Sequence, residues 1–497
     1  MSARQQLVRA AGLAVLALGA SLATPAAAQL RIGSLAFEPC TLTAEGLPIS
    51  VEAHCTTYSV PEDRSAPDGR RIDLAVAVVS GDNVAEPDPV FFLAGGPGQS
   101  ARESYPQIAP VFREVLRKRN VVLVDQRGTG GSNPLPCAEV QGEDAVLNAE
   151  LDSPEVARRA AQDCLRALEG RADPHHYTTT DAVEDLDAVR AALGAERVNL
   201  VGVSYGTRVA QQYLRAFPGQ VRSMVLDGVV PNTLFLGSEH ARNLEDALAL
   251  QFAQCEAVAA CRDELGSPRA HLDILRARLS ADGAPVAYRD PTTAAPREER
   301  LALAHLQTVV RMYAYQPAAA AMLPLVLSEA AAGRYEPLAA QARLLIDQLG
   351  ESIMHGMQLS VSCAEDADGL ADAGEDGDTL LGGVLVDFLK AQCAVWPRGR
   401  MPEDFHAAVV SDVPALLLSG EFDPVTPPRY GEEVLRGLSA GRHLVLGGQG
   451  HNVLPVGCTP RLLARFLDTT DAAGLDAGCL DGLRPAPPFT GFYGWEP

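Results

Sequence analysis

The chain has 497 residues, with 63 acidic against 41 basic side chains and a formal net charge of −22 at pH 7. Acidity of that size disfavours nucleic acid and anionic membranes as partners and keeps a protein in solution. The length exceeds one average domain, so a core carrying an insertion is the expected division.

The N-terminus opens with Arg4 and Arg9, an apolar stretch from Ala10 to Ala23, and Ala26-Ala27-Ala28 before Gln29. This is the pattern of a signal peptide over residues 1–28, which implies a secreted or periplasmic protein. A membrane anchor is the competing reading, since no charge falls between Arg9 and Arg31. Pro25 and the alanine run favour cleavage, because a spanning helix wants about 20 bulky apolar residues. Loss of the segment takes Arg4 and Arg9 with it and moves the net charge to −24. The ten cysteines are even in number, none forms a Cys-x-x-Cys pair, and they fall into five close neighbours along the chain. A secretory context turns that count into five expected disulfides, with sequential pairing as the simplest connectivity.

Short apolar runs then alternate with helical stretches, the signature of a mostly parallel sheet with helices on both faces. Strands are expected at 72–79, 90–93 and 121–124, with a helix over 104–118 before the third. Helices at 154–169 and 180–193 precede a strand at 198–203, a helix at 207–216 and a strand at 223–226. From about 240 to 395 the chain is Ala- and Leu-rich, helical in period and without clear strands, with helices expected at 244–261 and 301–313. Strand signals resume at 413–418 and 443–446. The expected division is a core over 29–235 and 401–484, a helical cap over 236–400 and an extended Pro-rich tail over 485–497.

Gly-x-Ser-x-Gly occurs twice, at 202–206 and 437–441. A serine nucleophile needs a strand entering and a helix leaving, so that its hydroxyl stands on a sharp turn above the sheet edge. Ser204 has that context. Ser439 has the reverse and reads as a helix C-cap turn. A base and an orienting acid should follow in the order acid, then histidine. Asp423 ends a strand within Gly420-Glu421-Phe422-Asp423-Pro424, and His451 follows the next strand within Gly447-Gly448-Gln449-Gly450-His451-Asn452. Asp227, at the end of the strand after the nucleophile helix, is the rival acid. His406 and His443 read as structural. Backbone donors for a developing oxyanion are expected from Gly96, since Pro97 has no N–H, and from Tyr205. The run 96–101 also fits a loose dinucleotide fingerprint, but Pro97 in its tight turn and the lack of a suitably spaced acid argue against it. No metal or phosphate motif is present, so no cofactor is expected.

Together, Gly95-Gly96-Pro97-Gly98, the run Asp125-Gln126-Arg127-Gly128-Thr129-Gly130-Gly131-Ser132, the run Asp185-Leu186-Asp187-Ala188-Val189-Arg190 and Gly202-Val203-Ser204-Tyr205-Gly206-Thr207 resemble the proline iminopeptidase and tripeptidyl aminopeptidase family. Residues 413–453 look like the C-terminal portion of the tripeptidyl type. The resemblance implies an α/β-hydrolase fold with an inserted helical cap, exopeptidase activity on peptides, and an anionic spot for the substrate's free amine. Ala94 stands where a histidine often precedes Gly-Gly-Pro-Gly, and no Gly-Gly-Glu-Asn segment occurs, so proline specificity is not implied. The acidic pair Glu365-Asp366 is the candidate amine site, against the simpler reading that both are solvated or cap a helix. An esterase using the same three residues is the alternative activity, since a fold does not decide its substrate. A catalytically dead binding module would have no use for an intact Ser204, Asp423 and His451.

Overall fold

The computed structural model describes residues 30–44, 46–82, 86–137, 153–281, 283–370, 376–491 and 494. The expected signal segment lies outside the described residues. Ten strands form one sheet: β1 (Leu30–Ile32), β2 (Leu35–Thr43), β3 (Ser50–Pro61), β4 (Arg71–Val79), β5 (Val90–Leu93), β6 (Val121–Val124), β7 (Val198–Val203), β8 (Val221–Asp227), and, after the hairpin β9 (Ala284–Arg289) and β10 (Pro296–Leu301), β11 (Ala415–Gly420) and β12 (Gly441–Leu446). Their spatial order is β1-β2-β3-β4-β6-β5-β7-β8-β11-β12. Pairing is antiparallel from β1 to β6 and parallel from β6 to β12.

Side-chain alternation splits the apolar strands between two layers. Phe91 and Leu93 of β5 join one core cluster, and Val90 and Phe92 join the other. Helices α1 (Ala101–Ile108) and, at the far end of the chain, α15 (Thr459–Thr469) cover the second face. The first face takes α2 (Pro154–Leu168), α3 (Thr179–Ala192), α4 (Tyr205–Ala216) and α14 (Pro428–Leu435). With both faces covered, β5 to β8 and β11 are buried almost throughout and read as unbroken apolar runs.

Between β8 and β11 lie α5 (His240–Ala257), α6 (Ala259–Leu265), α7 (Pro268–Ala281), the β9–β10 hairpin, α8 (Leu303–Ala314), α9 (Pro317–Ala320), α10 (Leu323–Ala331), α11 (Glu336–Ser352), α12 (His355–Glu365) and α13 (Val384–Cys393). Most of these share a third apolar cluster of their own, through Leu248, Leu275, Val309, Leu327 and Ala342. Helix α12 does not, and α13 is divided: Met357, Val361, Cys363 and Cys393 pack into the first core layer, while Leu385 at the start of α13 packs on the third cluster.

Three expectations need correction. The inserted segment does contain strands: β9 alternates buried and exposed, but its partner Pro-Arg-Glu-Glu-Arg-Leu is charged enough to look like loop. The helix expected over 104–118 ends at Ile108 and continues as 3-10 turns over Ala109–Phe112 and Val115–Arg117. Pro110 has no N–H to give and forces that break. Strands β1 to β3 escaped notice because their exposed positions are Arg, Glu, Pro, Thr and Ser, as an antiparallel strand with a wet face permits.

All five disulfides join sequence neighbours: Cys40–Cys55, Cys137–Cys164, Cys255–Cys261, Cys363–Cys393 and Cys458–Cys479. No described cysteine is free, as suits an oxidising compartment. Among the described residues no helix is long and apolar enough to cross a membrane.

Candidate active site

Ser204 is the single residue between β7 and α4, held at φ 55° and ψ −124°. That left-handed backbone costs a non-glycine residue about 1–3 kcal/mol, and it lifts the side chain onto the rim of the sheet. The Ser204 N–H donates to the Asp227 carbonyl at 2.8 Å, which ties the turn to the end of β8. A side-chain carbon on Gly95 would lie 3.2 Å from Ser204 Cβ, so the loop after β5 passes directly beside the serine. Tyr205 opens α4, where the first N–H groups of a helix lack intrahelical acceptors. Neither the Gly96 nor the Tyr205 N–H donates to a described residue.

His451 Nδ1 lies 2.7 Å from Asp423 Oδ2 and 3.1 Å from Thr426 Oγ1. Asp423 is itself saturated. Its Oδ1 accepts the N–H groups of Val425 (2.9 Å) and Thr426 (2.8 Å), and its Oδ2 accepts the Thr426 hydroxyl (2.8 Å). Burial pushes the Asp423 carboxyl up, but His451 beside it and those N–H donors prevail and hold it below the usual carboxylate range. Burial of the imidazole opposes its charge in turn, yet Asp423 and then Asp227 outweigh that and lift His451 above its ordinary value.

The rival acid has a different place. Asp227 is buried, and its carboxylate accepts the N–H groups of Val453 (2.9 Å) and Leu454 (2.8 Å), two and three residues beyond His451. Desolvation pushes its carboxyl up to about 6 against those hydrogen bonds. A side-chain carbon on the next residue, Gly228 (φ +68°), would stand 2.8 Å from His451 Cε1. The end of β8 therefore holds the Ser204 turn through its carbonyl, holds the histidine loop through its carboxylate, and leaves the ring room against bare backbone. Thr426 and the anchoring part played by Asp227 escaped the sequence reading. The Asp-Pro-x-Thr spacing, which suits an Asx turn, was the available signal for the first.

The inserted segment closes the other side. The His451 N–H donates to the Tyr315 carbonyl at 2.8 Å, and the Tyr315 ring meets the imidazole edge-on with centroids 5.3 Å apart. His443 and His406 are structural: His443 Nε2 lies 2.9 Å from Ser419 Oγ, and the His406 nitrogens lie 2.8 and 2.7 Å from the carbonyls of Asn232 and Glu365. Ser439 lies in the exposed turn between α14 and β12.

Glu365 and Asp366 sit at the end of α12, and both are buried. Asp366 is paired with the enclosed Arg208 at 2.9 Å and accepts the Leu236 N–H. Glu365 accepts the N–H (2.7 Å) and hydroxyl (2.9 Å) of Thr179, whose hydroxyl also lies 2.6 Å from the Tyr205 phenol. Burial first, and Asp366 second, push the Glu365 carboxyl up to about 8. The remaining motifs are framework. Asp125 accepts from Ser100 Oγ (2.7 Å) and from the N–H groups of Arg102 and Gly131 (3.0 Å each), fixing the start of α1 behind the Gly96 loop. Arg127 clasps Asp185 through two bonds of 2.7 Å.

A sheet with this strand order, a strained serine at its rim and a buried carboxylate–imidazole pair beside it define a serine hydrolase of the α/β type. The sequence model of the alpha/beta hydrolase fold family matches residues 88–457, and the chain belongs to that family. Its relatives include the serine protease Hip1 of Mycobacterium tuberculosis, 26% identical over 473 residues, covering 88% of this chain and 90% of that protein. The tripeptidyl aminopeptidase of Streptomyces lividans is 33% identical over 228 residues, 43% of this chain and 41% of its own. The proline iminopeptidase of Neisseria gonorrhoeae is 30% identical over 142 residues, 28% and 32% of the two chains. The resemblance to α/β-hydrolase serine peptidases thus holds along most of the chain.

Proposed function

We propose that this chain is a secreted or periplasmic serine aminopeptidase, with Ser204 as nucleophile, His451 as general base and acid, and Asp423 as the carboxylate that orients it. The observation that carries the reading is the buried 2.7 Å contact between Asp423 and His451 Nδ1, next to a serine on a strained strand-to-helix turn. With its Nδ1–H donated in a hydrogen bond to the Asp423 carboxylate, the neutral ring keeps a lone pair on Nε2. Nε2 takes the Ser204 proton as Oγ attacks the peptide carbonyl carbon, and the oxyanion is met by the N–H groups of Gly96 and Tyr205. Collapse of that intermediate breaks the C–N bond, and Nε2 passes its proton to the departing amine. Water then repeats the cycle on the acyl-enzyme.

The relatives' names support a peptide substrate, and the enclosing position of Tyr315 and α8 supports one of limited length. Asp366 is already committed to Arg208, so the proposed ligand for the substrate's free ammonium is Glu365. An arriving cation would favour its ionised form. The test compares aminoacyl- and tripeptidyl-arylamides with free and acetylated amines. Acetylation should lower kcat/KM by about 10²-fold or more, because it leaves a buried polar site unpaired, and Glu365→Gln should erode that preference. Equal rates on both, or cleavage of simple esters alone, would establish the esterase instead.

A further inference from the structure

Resting on the peptidase reading, we infer that Arg311 recognises a carboxylate on the substrate, so that the favoured peptides carry a negative charge close to the scissile bond. The C-terminal end of α8 is the part of the inserted segment that touches the candidate base. Tyr315 supplies both the carbonyl and the ring that hold His451, and Gln316 Nε2 donates to the His451 carbonyl at 3.4 Å. Arg311 lies four residues before Tyr315, which places the two as neighbours on one side of the helix. It is half-buried.

His240, the first residue of α5, occupies the same region. Burial first, then the positive charges of Arg311 and His451, push its imidazole down to about 3. His240 is therefore neutral at working pH, and Arg311 is the fixed charge on this side of the site.

That charge makes no hydrogen bond or ion pair with a described residue, in a protein where acids outnumber bases 63 to 41. Three arginines enclosed in the core each have a carboxylate: Arg119 has Asp88, Arg127 has Asp185 and Arg208 has Asp366. Acids near the start of α5 are committed elsewhere. Glu239 accepts the Tyr430 hydroxyl at 2.6 Å and pairs with Arg429, and Asp246 also pairs with Arg429. A half-desolvated guanidinium without a partner is unfavourable for folding alone. It becomes useful when a ligand brings the missing carboxylate, which a guanidinium's planar fork binds with two parallel hydrogen bonds.

The carboxylate can come from an acidic side chain on the acyl side or from the free C-terminus of a short peptide on the leaving side. Two sets of paired substrates separate these sources. The first is free-amine tripeptidyl-arylamides with Glu or Gln at each position in turn. The second is tetra- and pentapeptides with free or amidated C-termini. One set should show a wild-type preference for the carboxylate of at least about tenfold in kcat/KM, the size of one charge-assisted hydrogen bond. That ratio should collapse toward one in Arg311→Gln and keep an intermediate value in Arg311→Lys. Labelling of Ser204 by a fluorophosphonate reports that each variant is folded, and if Arg311→Gln fails it, the Arg311→Lys ratio decides. Wild-type ratios near one in both sets, or a ratio untouched by the substitutions, overturn the inference while cleavage of the neutral peptides upholds the peptidase reading. Failure to cleave any free-amine peptide overturns both.

Discussion

Ser204 differs from Ser439 by conformation. Both stand in Gly-x-Ser-x-Gly, but only Ser204 joins an entering strand to a leaving helix at positive φ. Ser204→Ala should abolish turnover, by a factor on the order of 10⁶ if it behaves as other triad nucleophiles do, and should remove fluorophosphonate labelling. Ser439→Ala should change neither rate nor label; a label on any serine other than 204 overturns the assignment. Asp227 carries a second expectation. His451 must be neutral to accept a proton, so kcat/KM rises with pH through its pKa, and the raised value places that limb above the ordinary imidazole range of about 6.5. Asp227→Asn removes one of the charges that hold the ring protonated, so the limb should move to lower pH. A pH–rate profile reads this directly, and a limb that stays put or moves up would show that Asp227 acts on the loop alone.

Helices and strands matter here through the joints that lock them. The pair formed by Arg127, on the turn after β6, and Asp185, on α3, is enclosed from water, and Arg127 also donates to the carbonyls of Glu62 (2.8 Å) and His176 (2.6 Å). Arg127→Ala would leave the buried Asp185 carboxylate to Arg64 alone, which reaches its Oδ1 at 2.5 Å from the rim, so the loss should fall at the low end of the about 3–5 kcal/mol that breaking a buried pair costs. Chemical denaturation should show that loss, and replacing both partners by apolar residues of similar volume should recover much of it. The Cys363–Cys393 bridge joins α12 to α13 with a sequence separation of 30. Replacing both cysteines by alanine should cost roughly 3–4 kcal/mol by the loop-closure relation, and the denaturation midpoint measures it. The bridge follows the expected sequential pairing, but the ion pair was legible only as two separate motifs. The spacing of Arg127 and Asp185 along the chain, 58 residues, gives no hint that they meet.

At the scale of the whole molecule, the candidate site is assembled by five separated stretches. The loop after β5 and the β7–α4 turn approach from one side, the loops after β11 and β12 from another, and the end of α8 closes over them. The tail takes part in this arrangement. The Phe489 N–H donates to the Ala321 carbonyl after α9 at 2.8 Å, while Pro485 packs on Gly448 in the histidine loop. Five bridges distributed over core and insertion lead to one global expectation. The denatured, unreduced protein should hold no titratable thiol, and non-reducing peptide mapping should recover the five neighbour pairs; free thiols or crossed pairs would contradict it.

What the sequence by itself determined is local. An apolar run long enough to cross the sheet, a serine between a strand and a helix, an acid and a histidine after the next strands, and an even set of cysteines falling in close pairs can each be read from neighbouring residues. Tertiary structure alone decided which of two buried aspartates faces His451. Asp227 ends β8 and Asp423 lies in the loop after β11, and only the placement of the histidine loop gives one the imidazole and the other two backbone N–H groups. It likewise decided that Asp366 is neutralised by Arg208 while Arg311 goes without a carboxylate. A charge's partner depends on proximity in space, and the chain order of an acidic protein offers every arginine far more acids than the fold allows it to reach.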